Sequence, residues 1–289
     1  MMDVVNQTAR QGFNGLRVLS LESRRAIEMA KLIAAYGGVP TVAPSMREIP
    51  LESNTEALAF ARRLIEGDFD CVVLLTGVGT RALGRVVETA YPLDQFISAL
   101  KNVKIVARGP KPLAVLKEWA IPATLVAPEP NTWREILRVL DKNTSAIPLQ
   151  GSKVAVQEYG EPNQDLLAGL AQRGAHVTSV PVYEWGMPED PEPLRAAVTA
   201  LARNEMDVVL FTAAMQLTHL LQVAAQMKQE DSLRHALSQV MIASIGPVTS
   251  ERIRELGLHV DMEPSHPKMG YLVSEAALLS TKILQGKRK

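Results

Sequence analysis

The stretch that sets the fold is DCVVLLT at residues 70–76, a short apolar run led by an acidic residue and closed by threonine. The pattern returns as DVVLFT at residues 207–212, an offset of 207 − 70 = 137. Short β-branched and aliphatic runs without polar alternation are typical of strands buried on both faces, as in parallel sheets. Both runs are therefore predicted to be central parallel strands.

Three other pairs of segments keep nearly the same spacing. They are residues 106–110 with 243–247, residues 36–42 with 173–179, and residues 17–20 with 153–156. Four matches in the same order indicate duplication of a unit of about half the chain. Each repeat reads as five strand–helix pairs, with helices predicted at residues 25–35 and 194–202. Glycines at 37, 38, 174 and 257 mark predicted helix ends. The predicted fold class is α/β, with two doubly wound parallel-sheet domains.

Two proline-marked segments occupy equivalent places after the second strand of each repeat. They are PSMREIP at residues 44–50 and VPVYEW at residues 180–185. Both are predicted to be extended crossings between the domains, which makes a two-stranded linker. One domain is then expected to comprise residues 1–49 and 183–289, and the other residues 50–182.

Composition excludes several classes of function. The 289 residues carry 31 Lys plus Arg against 31 Asp plus Glu, a net charge of zero, so no nucleic-acid or membrane partner is expected. The single cysteine, Cys71, lies in an apolar run and rules out a disulfide framework. The five histidines show no H-x-x-x-H pair, so no metal site is predicted.

The chain ends carry little information. Residues 1–15 lack the apolar stretch of a signal peptide and are predicted to be a loose tail. The basic residues 287–289 are expected to be a solvated end. No segment approaches the roughly 18 apolar residues that cross a bilayer, so a cytoplasmic location is expected.

The candidate site residues are those that follow strands, because ligands of open α/β sheets bind beyond the carboxyl ends of the strands. Thr76 ends the first apolar run, and Gly77 begins GVGTRA (residues 77–82), which resembles a dinucleotide fingerprint. The equivalent turn of the second repeat, Thr212-Ala213-Ala214, has no glycine. Anion binding by backbone N–H groups at a helix start is therefore the favoured interpretation of both turns, and a nucleotide-dependent enzyme is an alternative.

Two glycine–proline turns and one tyrosine complete the candidates. Gly109-Pro110 and Gly246-Pro247 combine a tight strand exit with a residue suited to the first helical turn, and Thr249 follows closely. Tyr183, in the second crossing, is placed to donate a hydrogen bond to a departing hydroxyl or a carboxylate. The alternative is that Tyr183 and Trp185 only pack the linker.

Several of these segments resemble uroporphyrinogen-III synthases. The similarity is carried by Asp207 through Thr212, the I-G-P-x-T motif at residues 245–249, LGLHV at 256–260 and PVY at 181–183, and it extends from about Gly15 to Leu284. The resemblance implies two α/β domains joined by a two-stranded linker. It also implies conversion of linear hydroxymethylbilane, a tetrapyrrole polycarboxylate, to uroporphyrinogen III with inversion of ring D, without metal or organic cofactor. A monomer is expected.

The resemblance also implies roles for individual residues. Tyr183 matches the family tyrosine proposed to assist departure of the hydroxyl, and Thr249 matches the hydroxyl residue after the G-P turn. The expected substrate-binding residues are Thr76, Gly77, Gly109, Asn131, Thr132, Thr212, Ala213, Ala214, Gly246 and Thr249. The chain departs from the family at Leu21-Glu22-Ser23, where T-R-P is usual, and at Gly77 and Ala213, where serine is usual.

A different class of protein would keep the same fold. A noncatalytic two-lobed sensor of small molecules is the alternative to the synthase, since fold does not fix function.

Overall fold

The structure is a computed structural model that describes residues 12–51, 54–158, 160 and 162–288. Residues 1–11 of the predicted tail and Lys289 of the predicted basic end lie outside the described residues. The strands are β1 Arg17–Ser20, β2 Val39–Val42, β3 Arg47–Pro50, β4 Cys71–Leu74, β5 Lys104–Ala107, β6 Leu125–Val126, β7 Lys153–Gln157, β8 His176–Val180, β9 Tyr183–Gly186, β10 Val208–Phe211 and β11 Met241–Ser244.

Helices follow nearly every strand. They are α1 Ala26–Ala35, α2 Thr55–Ile65, α3 Gly77–Glu88, α4 Leu93–Lys101, α5 Pro110–Glu118, α6 Trp133–Lys142, α7 Gln164–Gln172, α8 Glu192–Ala202, α9 Ala214–Gln226, α10 Glu230–Gln239, α11 Pro247–Glu255 and α12 Met269–Lys287. No helix in the described ranges is long and apolar enough to cross a membrane.

The chain divides into two compact units. Unit 1 holds the described residues up to Arg47 and from Met187 onward, and unit 2 is Glu48–Gly186. Unit 1 contains a four-stranded sheet in the order β11-β10-β1-β2, and unit 2 a five-stranded sheet in the order β6-β5-β4-β7-β8. Every pairing within these two sheets is parallel. The predicted fold class, α/β with parallel sheets, is confirmed.

The predicted central strands are buried on both faces. In β4, Val72 and Leu74 pack into one core cluster and Cys71 and Val73 into another. In β10, Val209 and Phe211 pack into one cluster and Val208 and Leu210 into a second. Successive side chains of a strand point to opposite faces, so an unbroken apolar run needs helices on both sides of the sheet. This requirement makes each unit doubly wound.

The prediction of five strand–helix pairs in each repeat is wrong in two respects. In the second repeat, the described residues show the fifth strand only as a single bridge between Ala243 and Met262. Each repeat also has one helix more than predicted, because α3 and α4 connect β4 to β5, and α9 and α10 connect β10 to β11. Pro92 stands at the start of α4, and proline suits a helix start better than its interior. The prediction that glycines mark helix ends is confirmed at Gly37, Gly174 and Gly257, where φ is +75°, +82° and +80°.

The predicted crossings form a separate small sheet in which β3 pairs with β9. Gly186 lies on β9, and a Cβ atom there would overlap the Ile49 side chain on β3. The close approach of these two strands therefore depends on a residue without a side chain.

The basic end of the chain makes ion pairs with unit 1. The expectation of a solvated end is wrong for Lys287, whose side chain is 17 % exposed, whereas Arg288 stays exposed although it is paired. Lys287 Nζ lies 2.7 Å from Asp261 Oδ2, and Arg288 Nη2 lies 2.7 Å from Asp207 Oδ1. The buried Asp207 also accepts hydrogen bonds from the backbone N and the Nε of Arg17, each at 2.9 Å. Burial alone would raise the pKa of Asp207, but the hydrogen bonds from Arg17 and Arg288 outweigh it and hold that pKa well below its usual value.

We predict that Asp207→Asn lowers the free energy of unfolding by about 2 kcal/mol at pH 7, because it removes the negative charge and one of the two acceptor oxygens that Arg17 and Arg288 share. A depressed carboxyl pKa stabilises the fold above its unfolded value, near 4, and this contribution fades as the pH falls below it. The difference between wild type and variant should therefore shrink from about pH 5 to pH 3. Urea denaturation at several pH values measures it, with Asp231→Asn, at an exposed helix start, as the control. A pH-independent difference would contradict the role given to Asp207.

Candidate functional site

In unit 2, the turn after β4 is organised by Thr76. Its backbone is extended (φ −141°, ψ 147°), and its Oγ1 accepts a hydrogen bond from Gly79 N at 2.9 Å, which makes it the N-cap of α3. The amide oxygen of Gln157, on the neighbouring strand β7, accepts from Thr76 N at 3.4 Å. Within the described residues, no acceptor is bound to the N–H groups of Gly77 and Val78. These two amides are therefore the donors that this turn offers.

The two glycines of the turn make room for the chain's own atoms. A Cβ on Gly77 would lie 2.7 Å from Lys111 O, and one on Gly79 would overlap the Gln157 amide. In a dinucleotide fingerprint, the glycines are needed for close approach of the pyrophosphate. Here packing within unit 2 explains both glycines. The glycine motif therefore no longer supports the alternative of a nucleotide-dependent enzyme.

The turns after β5 and β6 are linked by Asn131. In the amide orientation that satisfies its hydrogen bonds, Asn131 Nδ2 donates to Ala127 O at 3.0 Å and to Arg108 O at 3.1 Å. A Cβ on Gly109 would lie 2.7 Å from the terminal amide of Asn131. The structure therefore brings Gly109 and Asn131 together, and the role of both in substrate binding stays a prediction.

Thr132 is occupied by its own helix. Thr132 is buried and caps α6, accepting from Arg134 N at 3.1 Å and donating to Glu135 Oε2 at 2.6 Å, while Thr132 N donates to the same oxygen at 3.1 Å. This reciprocal arrangement is a capping box. The side chain of Thr132 therefore orders the helix start, and its role in substrate binding stays a prediction.

In unit 1, the turn after β10 is capped from inside the helix. Ala213 has no side-chain acceptor, and Gln216 supplies one: its Oε1 accepts from Thr212 N at 2.7 Å and from Ala213 N at 3.2 Å. Gln216 Nε2 donates to Thr212 Oγ1 at 2.8 Å and to Leu21 O, after β1, at 3.1 Å. Gln216 therefore occupies the amides of Thr212 and Ala213, and the role of these two residues in substrate binding stays a prediction. The amides left without an acceptor in the described part of the chain are those of Ala214 and Met215.

The turn after β11 follows the same plan as that after β5. Gly246 and Gly109 share an extended backbone, and each precedes a helix that begins with proline. Ser244 Oγ, fully buried, accepts from Gly246 N at 3.3 Å and donates to Gly246 O at 3.0 Å, which fixes the turn. Thr249 is buried in the first turn of α11, and Ser250 beside it has a buried hydroxyl without a partner in the described ranges.

Tyr183 lies in the core of unit 2. It is 4 % exposed, belongs to the cluster that contains Phe60 and Phe96, and packs edge to face against Trp185 with ring centroids 5.3 Å apart. Packing is therefore one role of this residue. A role for its phenol in the reaction stays a prediction.

The sequence comparison of the two repeats did not identify a pair of glutamates at equivalent strand ends. Glu22 follows β1 and Glu158 follows β7, with an offset of 158 − 22 = 136, the offset already found between the openings of the two repeats. Each accepts a backbone N–H that follows it in sequence: Glu22 Oε1 from Arg24 and Arg25 at 3.1 and 3.2 Å, and Glu158 Oε2 from Asn163 at 3.3 Å. Extending the repeat comparison by two residues would have found the pair.

Burial affects two titratable groups of unit 2. Burial raises the pKa of the Glu158 carboxyl to about 7, although hydrogen bonds from Asn163 N and Ser179 act in the opposite direction. Burial and the nearby Asp70 carboxylate raise the pKa of the Cys71 thiol to about 12, so this thiol is a packing residue. In the described residues no cluster of three or more His, Cys, Asp and Glu could hold a metal ion.

The fold and the turns define a class of protein with two parallel α/β units. In both units, helices begin just after the strands, and some of the first N–H groups of these helices have no acceptor within the described residues. The model of the family described as uroporphyrinogen-III synthase HemD matches residues 27–274. This match covers most of the chain and includes every candidate residue. The chain belongs to the uroporphyrinogen-III synthase family.

The chain is also similar to individual proteins of known sequence or structure, two of which are described as uroporphyrinogen-III synthases. The chain is 29 % identical over 268 residues to a Bacillus subtilis (strain 168) protein described as "Uncharacterized protein YjjA", covering 92 % of this chain and 97 % of that one. A putative uroporphyrinogen-III synthase of Methanothermobacter thermautotrophicus is 28 % identical, with 81 % and 87 % covered. A mutant uroporphyrinogen III synthase from the extremely thermophilic bacterium Thermus thermophilus superposes with a TM-score of 0.68 at 28 % identity, covering 94 % and 100 %.

We predict that Gly77→Ala destabilises the protein by about 1–3 kcal/mol, because the new Cβ meets the Lys111 carbonyl, which is backbone and yields little. The matched control is Gly270→Ala at the start of α12, where a Cβ meets nothing within 4 Å. The control should be neutral or more stable by up to about 1 kcal/mol. Urea denaturation compares the two. Equal stability of both variants would show that the glycine is not needed for packing.

Proposed function

We propose that this protein is a uroporphyrinogen-III synthase, which closes hydroxymethylbilane to uroporphyrinogen III with inversion of ring D. The observation that carries the proposal is the family match over residues 27–274, which spans the strand-end turns of both repeats. The alternative, a noncatalytic sensor, has the same fold but no observation of its own in its favour.

The chemistry that the reaction needs is mostly positioning. The hydroxyl leaves with a proton as water, and an azafulvene cation remains. The substituted carbon of ring D attacks this cation, the spiro intermediate fragments, and closure in the opposite sense releases one proton. Such a sequence gains most from holding a flexible chain in one conformation and from polar groups fixed before reaction.

The proposed contacts are backbone amides at helix starts. Gly77 and Val78 in unit 2 and Ala214 and Met215 in unit 1 have no acceptor within the described residues. A helix start carries a partial positive charge that favours carboxylates, and the substrate is a polycarboxylate. We propose that acetate and propionate groups of the substrate bind to these amides, to the Gly109 turn and to the Gly246–Thr249 turn.

We predict that purified protein converts freshly generated hydroxymethylbilane mainly to isomer III. The products are oxidised to uroporphyrins and the isomers are separated by chromatography. The control is substrate without protein, which closes to isomer I. A product mixture that matches this control would reject the synthase proposal and leave the sensor.

We predict that Tyr183→Phe slows formation of isomer III by about tenfold or more, because the phenol is proposed to donate a hydrogen bond to the departing hydroxyl. Tyr271→Phe is the matched control, since Tyr271 is 43 % exposed on α12. The melting temperature of both variants is measured beside turnover, because Tyr183 also packs against Trp185. Unchanged turnover of a folded Tyr183→Phe variant would limit Tyr183 to packing.

A further inference from the structure

The carboxylate of Glu22 occupies the turn after β1 in unit 1. Its Oε1 accepts the N–H groups of Arg24 and Arg25, and its Oε2 accepts the hydroxyl of Thr212 at 2.5 Å. The carboxylate therefore joins the turn after β1 to the turn after β10. These strands are neighbours in the parallel sheet, so their ends lie at the same edge.

The donors that Glu22 takes are those that a bound carboxylate would use. Two are backbone amides just before α1, and the third is the hydroxyl of a residue expected to bind substrate. Gln216 takes the amides of Thr212 and Ala213, so the chain itself satisfies most donors at this edge. In unit 2, Glu158 accepts Asn163 N in the equivalent way, so an internal acid at this position is a property of both repeats.

We propose that Glu22 is a specificity-determining residue, whose carboxylate fills the carboxylate position at the β1 edge of unit 1 and rejects an acidic group of the ligand there. An ionised carboxylate repels a second one at short distance, and the donors needed to bind it are already used. A carboxylate offers about four lone-pair sites, of which three are taken. The remaining site accepts an N–H donor such as a pyrrole nitrogen.

That the ligand is a tetrapyrrole rests on the proposed function. That the Glu22 carboxylate takes the hydrogen-bond donors of the turn does not. Removal of the Glu22 side chain should leave the donors of Arg24, Arg25 and Thr212 open to a small carboxylate from solution. Acetate has the size and charge of the missing group, and it tests the occupation without any tetrapyrrole.

The experiment compares the melting temperature of wild type, Glu22→Ala, Glu22→Gln and Glu28→Ala in sodium acetate and in sodium chloride of equal ionic strength. Glu28 is the matched control, half-exposed further along on α1, with its Oε1 3.8 Å from Arg25 Nε. We expect acetate to raise the melting temperature of Glu22→Ala by several degrees more than chloride does. The other three proteins should show no such difference, because residue 22 still fills the turn in each of them. Wild type and Glu28→Ala keep the glutamate, and Glu22→Gln has a side chain of the same length. The same response to acetate in all four proteins would overturn the proposal.

A second measurement covers the case in which Glu22→Ala does not fold. Uroporphyrin III, a stable octacarboxylate, is titrated into wild type and Glu22→Gln by fluorescence. Removing one negative charge at the site should tighten binding by about fivefold, and unchanged or weaker binding would contradict the proposal. Neither readout needs turnover. Failure of the isomer assay would therefore reject the synthase without touching Glu22, and failure here would leave the synthase standing.

Discussion

The parallel pairing of the strands is the constraint on which the rest of the structure depends. Parallel strands end at one edge of a sheet, and most of them here are followed by a helix whose first N–H groups have no partner within the helix. The ends of β1, β10 and β11 in unit 1, and of β4, β5 and β7 in unit 2, therefore gather several unsatisfied donors at one edge of each unit. Such an edge must obtain acceptors from the chain, from water or from a ligand.

Side chains of the protein supply some of these hydrogen-bond acceptors. Thr76 and Thr132 cap their own helices, Gln216 reaches back over the Ala213 turn, and Glu22 accepts two amides and a hydroxyl. A buried donor without a partner costs about 1–3 kcal/mol, so these acceptors contribute to stability as well as to shape. The amides that they leave, as at Gly77 and Ala214, are then the places where a ligand carboxylate gains most.

The strands and the repeat were predictable because they depend on local patterns. The runs at 70–76 and 207–212 are apolar between their acidic and threonine ends, and only a strand covered on both faces buries them all. The paired helices after β4 and β10 were not predictable in the same way, because a break inside a helical pattern depends on a single residue such as Pro92. The glycine pattern at 77–82 was misleading, since Lys111 and Gln157, distant in sequence, explain it. The roles of Gln216 and Glu22 depend on contacts between neighbouring strands, which spacing along the chain does not reveal.

Amide hydrogen exchange, followed by mass spectrometry with and without anaerobic uroporphyrinogen III, tests the strand-end site most directly. Gly77, Val78, Ala214 and Met215 have no acceptor in the described part of the chain, so their amides should exchange fast in the free protein. The account predicts that the product slows exchange in peptides that cover residues 76–80, 212–216 and 246–250. Slowed exchange confined to the opposite edge, around Arg17 and Asp207, or no change at any of these turns, would contradict it.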